Sequence, residues 1–276
     1  MTRSNLIREI IRIGFLCIVA SFVLGPLAAT VLGGFKSNAE VQTSALSLPA
    51  VWRTDIYADI LSDPGFWRYL GNSLVISVAT VVLTLLVGSA AAYVFAQVRF
   101  FGSKMLFSYL SLGLMFPFAT AILPLFVQVR DLGLLDTYWA VILPQTAFGL
   151  SLAILLFRTF FSELPKELFE AAYVEGCGYI RFFWRFTLPL STPILATVGV
   201  FVFVQSWNNF LLPLVVLNSR EAFTWPLGMM QYRGEFAVEW NRTLAFVTLT
   251  ILPAVVFFLA AQKYIVAGLT GGAVKG

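Results

Sequence analysis

The chain has 276 residues, of which 59% are hydrophobic and only 12% charged, with a formal net charge of +4. A water-soluble domain carries about 25% charged residues, so the composition excludes a soluble globule and points to the bilayer as solvent. The sequence has no histidine and only two cysteines, which removes histidine acid–base chemistry, Ser–His nucleophiles and histidine-bound metals.

The first apolar run follows Arg3, Arg8 and Arg12. It is long and no small-residue cleavage site follows, so an uncleaved first helix is expected rather than a signal peptide. Cys17 lies in this run and Cys177 in a polar loop, so no disulfide is expected between them.

A helix needs about 20 apolar residues to cross the hydrocarbon layer. Charge-poor windows predict six spans, at 13–34, 74–98, 105–129, 137–157, 190–217 and 243–262. No internal duplication is evident, so residues 1–276 read as one membrane domain. Pro26, Pro117, Pro124, Pro144, Pro213 and Pro253 fall in or near spans, where each removes a backbone donor and bends its helix.

Placing the N-terminus inside gives the inner segments eleven of the 18 bases and five of the 14 acids. The excess of inner bases predicts that both termini, including the tail 263–276, are cytoplasmic. The bases form no aromatic-interleaved patch of the kind that binds nucleic acid, and the lipid bilayer is the expected environment.

Segment 158–190 is the longest inner connection. Leu164-Pro165 reads as a helix start, Lys166 to Glu175 holds good helix formers, and Gly176 and Gly178 end the run. Leu168, Ala171, Ala172 and Val174 give an apolar stripe, and Glu170 offers a carboxylate to a partner's arginine. A second short amphipathic piece carries Ile180, Phe183, Trp184 and Phe186 beside Arg181 and Arg185. The residues alone leave two readings open: a hairpin that fits a groove on another protein, or one that lies on lipid headgroups.

The string Glu170-Ala171-Ala172, then Gly176, then Leu188-Pro189, resembles the EAA signature of bacterial binding-protein-dependent ABC importer permeases. Glu175 and Cys177 stand where such loops mostly have aspartate and alanine, which keeps the charge and the small size. Asn72-Ser73, the run Gly133-Leu134-Leu135-Asp136-Thr137-Tyr138-Trp139, Trp207-Asn208-Asn209-Phe210 and the Gly271-Gly272-Ala273-Val274-Lys275 ending extend the likeness along the chain. Together they resemble the second permease subunit of carbohydrate importers of the maltose-permease type.

The resemblance implies an all-α, six-helix type I ABC importer core with a cytoplasmic coupling loop. It implies a second, homologous permease subunit, a cytoplasmic ATPase dimer and an extracytoplasmic solute-binding protein. Glu170, Ala171, Ala172, Gly176, Leu188 and Pro189 would engage the ATPase, and Gly271, Gly272 and Lys275 would reach its interface. The chain lacks a Walker-type phosphate loop, since Gly102-Ser103-Lys104 has the wrong spacing, so no cofactor is expected on it. ATP and its magnesium ion would sit on the ATPase.

The spans contain amides and hydroxyls, including Asn72, Thr120, Gln128 and Gln145, but no central Asp, Glu, Lys or Arg. That argues against a proton-driven carrier and suits a neutral, hydroxyl-rich solute. Gln205, Trp207, Asn208 and Asn209 are the expected solute path, with helix-bridging as the competing role of the amides. In this type of importer the partner permease would hold most of the solute. Other solutes compatible with this build are a glycerophosphodiester, a polyol or a peptide. A secondary carrier is the reading from a different class.

Overall fold

The computed structural model describes the backbone of residues 3–234 and 238–271, and side chains at 8–234, 238–259 and 262. Among the described residues, the principal helices run in chain order. They are α1 (Arg3–Gly33), α2 (Pro64–Gln97), α3 (Ser103–Leu112), α4 (Ile122–Asp131), α5 (Trp139–Ser162), α6 (Lys166–Val174), α7 (Thr192–Trp207), α8 (Leu211–Val216) and α9 (Trp240–Gly271). Four of these are long and apolar enough to span a bilayer unaided: α1, α2, α5 and α9. At 1.5 Å per residue the 34-residue α2 is about 51 Å long, well beyond the ~30 Å hydrocarbon layer.

Two expected spans are broken rather than straight. The predicted span 105–129 is a helical pair, Ser103–Met115 and Phe118–Asp131, bent by 95°. Pro117 causes the break: it cannot donate to the preceding turn, and Phe116 before it is extended, with ψ 116°. The Thr120 hydroxyl and amide both donate to the Pro117 carbonyl, at 2.7 and 3.1 Å, and close the turn after the break. The predicted span 190–217 is likewise interrupted at both ends. Tyr179–Leu190 meets α7 at 77°, after a π-turn over Phe183–Thr187 next to Pro189. At its other end α7 stops at Trp207, and α8 starts only at Leu211.

The chain falls into two compact units, Met1–Trp67 with Met229–Leu252, and Arg68–Gly228 with Pro253–Gly276.

In the first unit, none of the most apolar stretch of α1 is buried. The core here is Ile56, Ile60, Phe66, Ala245 and Phe246, with Phe66 set edge-on to Phe246 at 5.4 Å. Lys36 is completely buried. Its Nζ donates to the carbonyls of Ser44 (2.7 Å) and Ala45 (3.1 Å). Ser37 and Glu40 form a capping box on Asn38–Thr43, and Glu40 also accepts from the Ala50 amide at 3.0 Å. Asn38 joins two distant segments. Its Nδ2 donates to the Val238 carbonyl at 3.1 Å, and its Oδ1 accepts from the Trp240 amide at 2.8 Å, at the start of α9.

In the second unit, α2, α5 and α7 pack closely. A side chain at Gly88 of α2 would press on Ala153 of α5 at 3.1 Å, so glycine is what permits this approach. The core runs from Ala92 and Tyr93 through Ile154, Phe157 and Phe161 to Phe182, Phe183 and Val198. Phe157 and Phe161 stack with an 8° interplanar angle. A second feature is a seam of buried hydroxyls on α2, at Ser73, Ser77, Thr80 and Thr84. Their spacing of four, three and four residues places them on one helix face.

Candidate functional site

Three parts of the second unit carry chemistry: the 158–190 segment, a cavity among α2, α5 and α7, and a clasp over segment 217–228.

The 158–190 segment contains the nine-residue helix α6, preceded by Pro165. It ends in a Schellman motif. The Cys177 amide donates to the Ala172 carbonyl at 2.9 Å and the Gly176 amide to the Tyr173 carbonyl at 3.0 Å. Gly176 has φ 75°, the left-handed conformation that the motif requires and that a Cβ disfavours. Only Ala172 of α6 is buried, and Phe169 is half-buried. Phe169 lies edge-on to Phe182 at 5.0 Å, within the core that includes Phe157 and Phe161. The Tyr93 hydroxyl of α2 donates to the Tyr179 carbonyl at 3.0 Å. Everything else on α6 is exposed, Glu170 and Ala171 included, and beyond it Ile180 and Trp184 are exposed too. Leu188 is half-buried against the core and Pro189 is exposed. The segment is therefore a helix–glycine–helix with a narrow anchored edge and a broad free face.

The cavity has a volume of about 300 Å³. Phe116, Phe118, Phe148 and Phe201 form apolar walls, and Thr80, Gln145, Gln205, Ser206 and Asn209 supply polar atoms. Among the described residues no Asp, Glu, Lys or Arg lines it. A more open groove of about 530 Å³ continues from it past Gln205, Asn208 and Asn209.

The expected solute-path residues divide. Gln205 and Asn209 line both spaces and Asn208 lines the groove. Trp207 lines neither: it is 2% exposed and stacked on Phe203 at 5.5 Å, and its carbonyl accepts the Trp225 indole N–H at 2.7 Å. Its large apolar ring is core, and this corrects the sequence expectation. The two asparagines act as helix caps. Asn208 Nδ2 donates to the Val204 carbonyl at the end of α7, and Asn209 Oδ1 accepts from the Leu212 amide at the start of α8.

Gln145 is the polar centre of the cavity. Its Oε1 accepts from the Ser206 hydroxyl at 2.5 Å and the Thr80 hydroxyl at 3.5 Å, so α2, α5 and α7 meet on one amide. Sequence reading noted Gln145 only as one polar span residue and missed Thr80 and Ser206. The signal for Thr80 was the period of Ser73, Ser77, Thr80 and Thr84 on one face of α2.

The clasp is a set of hydrogen bonds on segment 217–228. Asn72 Nδ2 donates to the carbonyls of Glu221 (2.7 Å) and Phe223 (2.9 Å), and the Ser73 hydroxyl accepts from the Trp225 amide at 2.8 Å. Asp136, at φ 61°, accepts from the amides of Asn218 (2.8 Å) and Ser219 (2.9 Å). These two N–H groups, Ser219 first, hold the Asp136 carboxyl below the usual aspartate value.

Of the expected tail contacts, Gly271 is the last residue of α9, and Gly272 and Lys275 lie outside the described residues. Among the described residues no cluster of His, Cys, Asp or Glu could hold a metal ion.

Apolar helices, a free helix–glycine–helix and an uncharged cavity define a membrane transport subunit. The model of the family "binding-protein-dependent transport system inner membrane component" matches residues 84–271, and the chain belongs to that family. It is a permease subunit of an ABC importer, not an enzyme, and it works with a solute-binding protein.

The chain is 37% identical over 277 residues to the arabinooligosaccharides transport system permease protein AraQ of Halalkalibacterium halodurans, covering 99% of this chain and 98% of that one. It is 35% identical to the probable ABC transporter permease protein YurM of Bacillus subtilis, covering 95% and 86%. It is 32% identical to the diacetylchitobiose uptake system permease protein NgcG of Streptomyces coelicolor, covering 91% and 83%. Its fold is similar to a chain of a bacterial ABC transporter involved in the import of the acidic polysaccharide alginate. That match has a TM-score of 0.82 at 23% identity and covers 96% of this chain and 99% of that one.

Proposed function

We propose that this chain is one of two similar permease subunits that move a neutral sugar or short oligosaccharide inward across the bacterial plasma membrane, driven by a separate ATPase dimer. The observation that carries the reading is the 158–190 segment. A helix that buries only Ala172 and tucks in Phe169 leaves Glu170 and Ala171 free for a partner. Ala172 and Phe169 seat it directly on the core formed by α2, α5 and α7.

Glu170 offers a carboxylate to a basic groove, Ala171 permits close approach, and Gly176 sets the reversal of the chain. Leu188 and Pro189 set the exit toward α7. Gly271, Gly272 and Lys275 serve as tail contacts with the ATPase. ATP and magnesium sit on the ATPase, and closure of its dimer biases the packing of the spans. Shifting such a two-state equilibrium from 1:99 to 99:1 takes about 5.5 kcal/mol of differential binding. The excess of bases in the inner segments supports cytoplasmic termini. The bare surface of α1 suits lipid and the second permease.

Arabinooligosaccharide and diacetylchitobiose permeases among the relatives support a sugar, as does a cavity without charge. The test is uptake of radiolabelled arabinotriose, maltotriose and diacetylchitobiose by vesicles holding the copurified complex. ATP-dependent uptake of one of them is expected. Uptake of none, or uptake by this chain without an ATPase, overturns the reading.

A further inference from the structure

We propose that Gln145, backed by Thr80 and Ser206, is the centre of a solute site in this chain that takes a single neutral sugar ring. This deepens the sugar-import reading and rests on it.

Gln145 is 9% exposed and lies on the cavity wall. Two hydroxyls occupy its Oε1, from Ser206 at 2.5 Å and Thr80 at 3.5 Å. Its Nε2 has no hydrogen-bond partner among the described residues. Native proteins rarely leave a buried amide N–H without an acceptor, so this atom points to something outside the chain. The Ser206 and Thr80 hydroxyls accept from an amide nitrogen as readily as they donate to an amide oxygen. In either orientation one polar edge of this cavity-lining residue is left without a partner among the described residues. A sugar hydroxyl, both donor and acceptor, satisfies either edge.

The rest of the lining selects among ligands. Phe118 and Phe148 meet edge-to-face at 4.9 Å, and with Phe116 and Phe201 they offer apolar surface to the C–H face of a sugar ring. Without a charged residue on the wall, an ionic solute would enter with no counter-charge, at a high desolvation cost. The 300 Å³ volume is at the lower end of the ~300–1,000 Å³ usual for ligand pockets and suits one ring rather than a chain of them. Gln205 stands at the junction with the open groove, exposed and with no side-chain hydrogen bond among the described residues. It is placed to hand the next ring toward Gln145.

The test uses the assembled importer and whichever labelled sugar the wild type takes up. The complex is locked with a non-hydrolysable ATP analogue after loading from its binding protein, and retained label is counted. In complexes that copurify at the wild-type subunit ratio, Gln145→Met is expected to cut retention about tenfold and Gln205→Leu about threefold. Wild-type retention in both variants overturns the proposal, as does a wild-type complex that takes up sugar but retains none. If Gln145→Met fails to assemble, unchanged retention by Gln205→Leu alone overturns it. Failure of the import reading looks different, because then the wild type shows no ATP-dependent sugar uptake at all.

Discussion

The hydroxyl of Tyr138 donates to Oδ1 of Asn72 at 2.6 Å, while the same amide holds the carbonyls of Glu221 and Phe223 through Nδ2. One side chain on α2 thus ties the approach to α5 to the segment after α8. Tyr138→Phe removes one hydrogen bond and should cost about 1 kcal/mol; Asn72→Leu leaves two carbonyls and a hydroxyl without their partner and should cost about 2–3 kcal/mol. Because the pair shares a network, the double variant should cost less than the sum. Hydrogen exchange of residues 217–228 measures this, and additive effects would contradict it.

Acid should loosen the same segment. Asp136 has its carboxyl value lowered by the Ser219 and Asn218 amides, so its contribution is fully present above the unfolded aspartate value. It is lost as pH falls through the lower folded value. Glu40 follows the same sign in the other unit, held down to about 2 mainly by the Ser37 amide and then the Ala50 amide. Exchange protection at 217–228 should therefore fall below about pH 4, and Asp136→Asn should flatten that dependence. A response of equal size in Asp136→Asn would rule out Asp136 as the group responsible.

In the 158–190 segment, Glu170→Ala should lower uptake per ATP hydrolysed several-fold while membrane insertion is unchanged. Gly176→Val puts a β-branched residue at φ 75° and should add at least 1–2 kcal/mol of strain, opening the reversal after α6. Reconstituted vesicles with wild-type coupling in both variants would contradict these expectations.

Lys36→Met should destabilise the first unit by about 1–3 kcal/mol, because it strips the Ser44 and Ala45 carbonyls of a shared donor. Limited proteolysis near residues 44–50 reads this out. A cleavage rate equal to wild type would show the buried ammonium to be dispensable.

The apolar helices were legible from the absence of charge, and the reversal at Gly176 from its position after a run of helix formers. The breaks were less so. Pro117 announced a bend, but a proline alone does not distinguish a gentle kink from a 95° turn. Trp207 shows the limit on the site: an aromatic beside two amides looks the same in sequence whether it faces solute or core. Gln145 was visible, but its significance arises only when Thr80 and Ser206, 65 and 61 residues away, both converge on its Oε1. No local pattern encodes that convergence.

The way α6 is held has a mechanical consequence. Among the described residues, Ala172 and Phe169 are the side chains of this helix that sink into its own chain, and an aromatic ring turns about just two bonds. Such a joint has little backlash. A push on the free face would then pass through Phe169 to Phe182 and the rings behind it, as through a short crank.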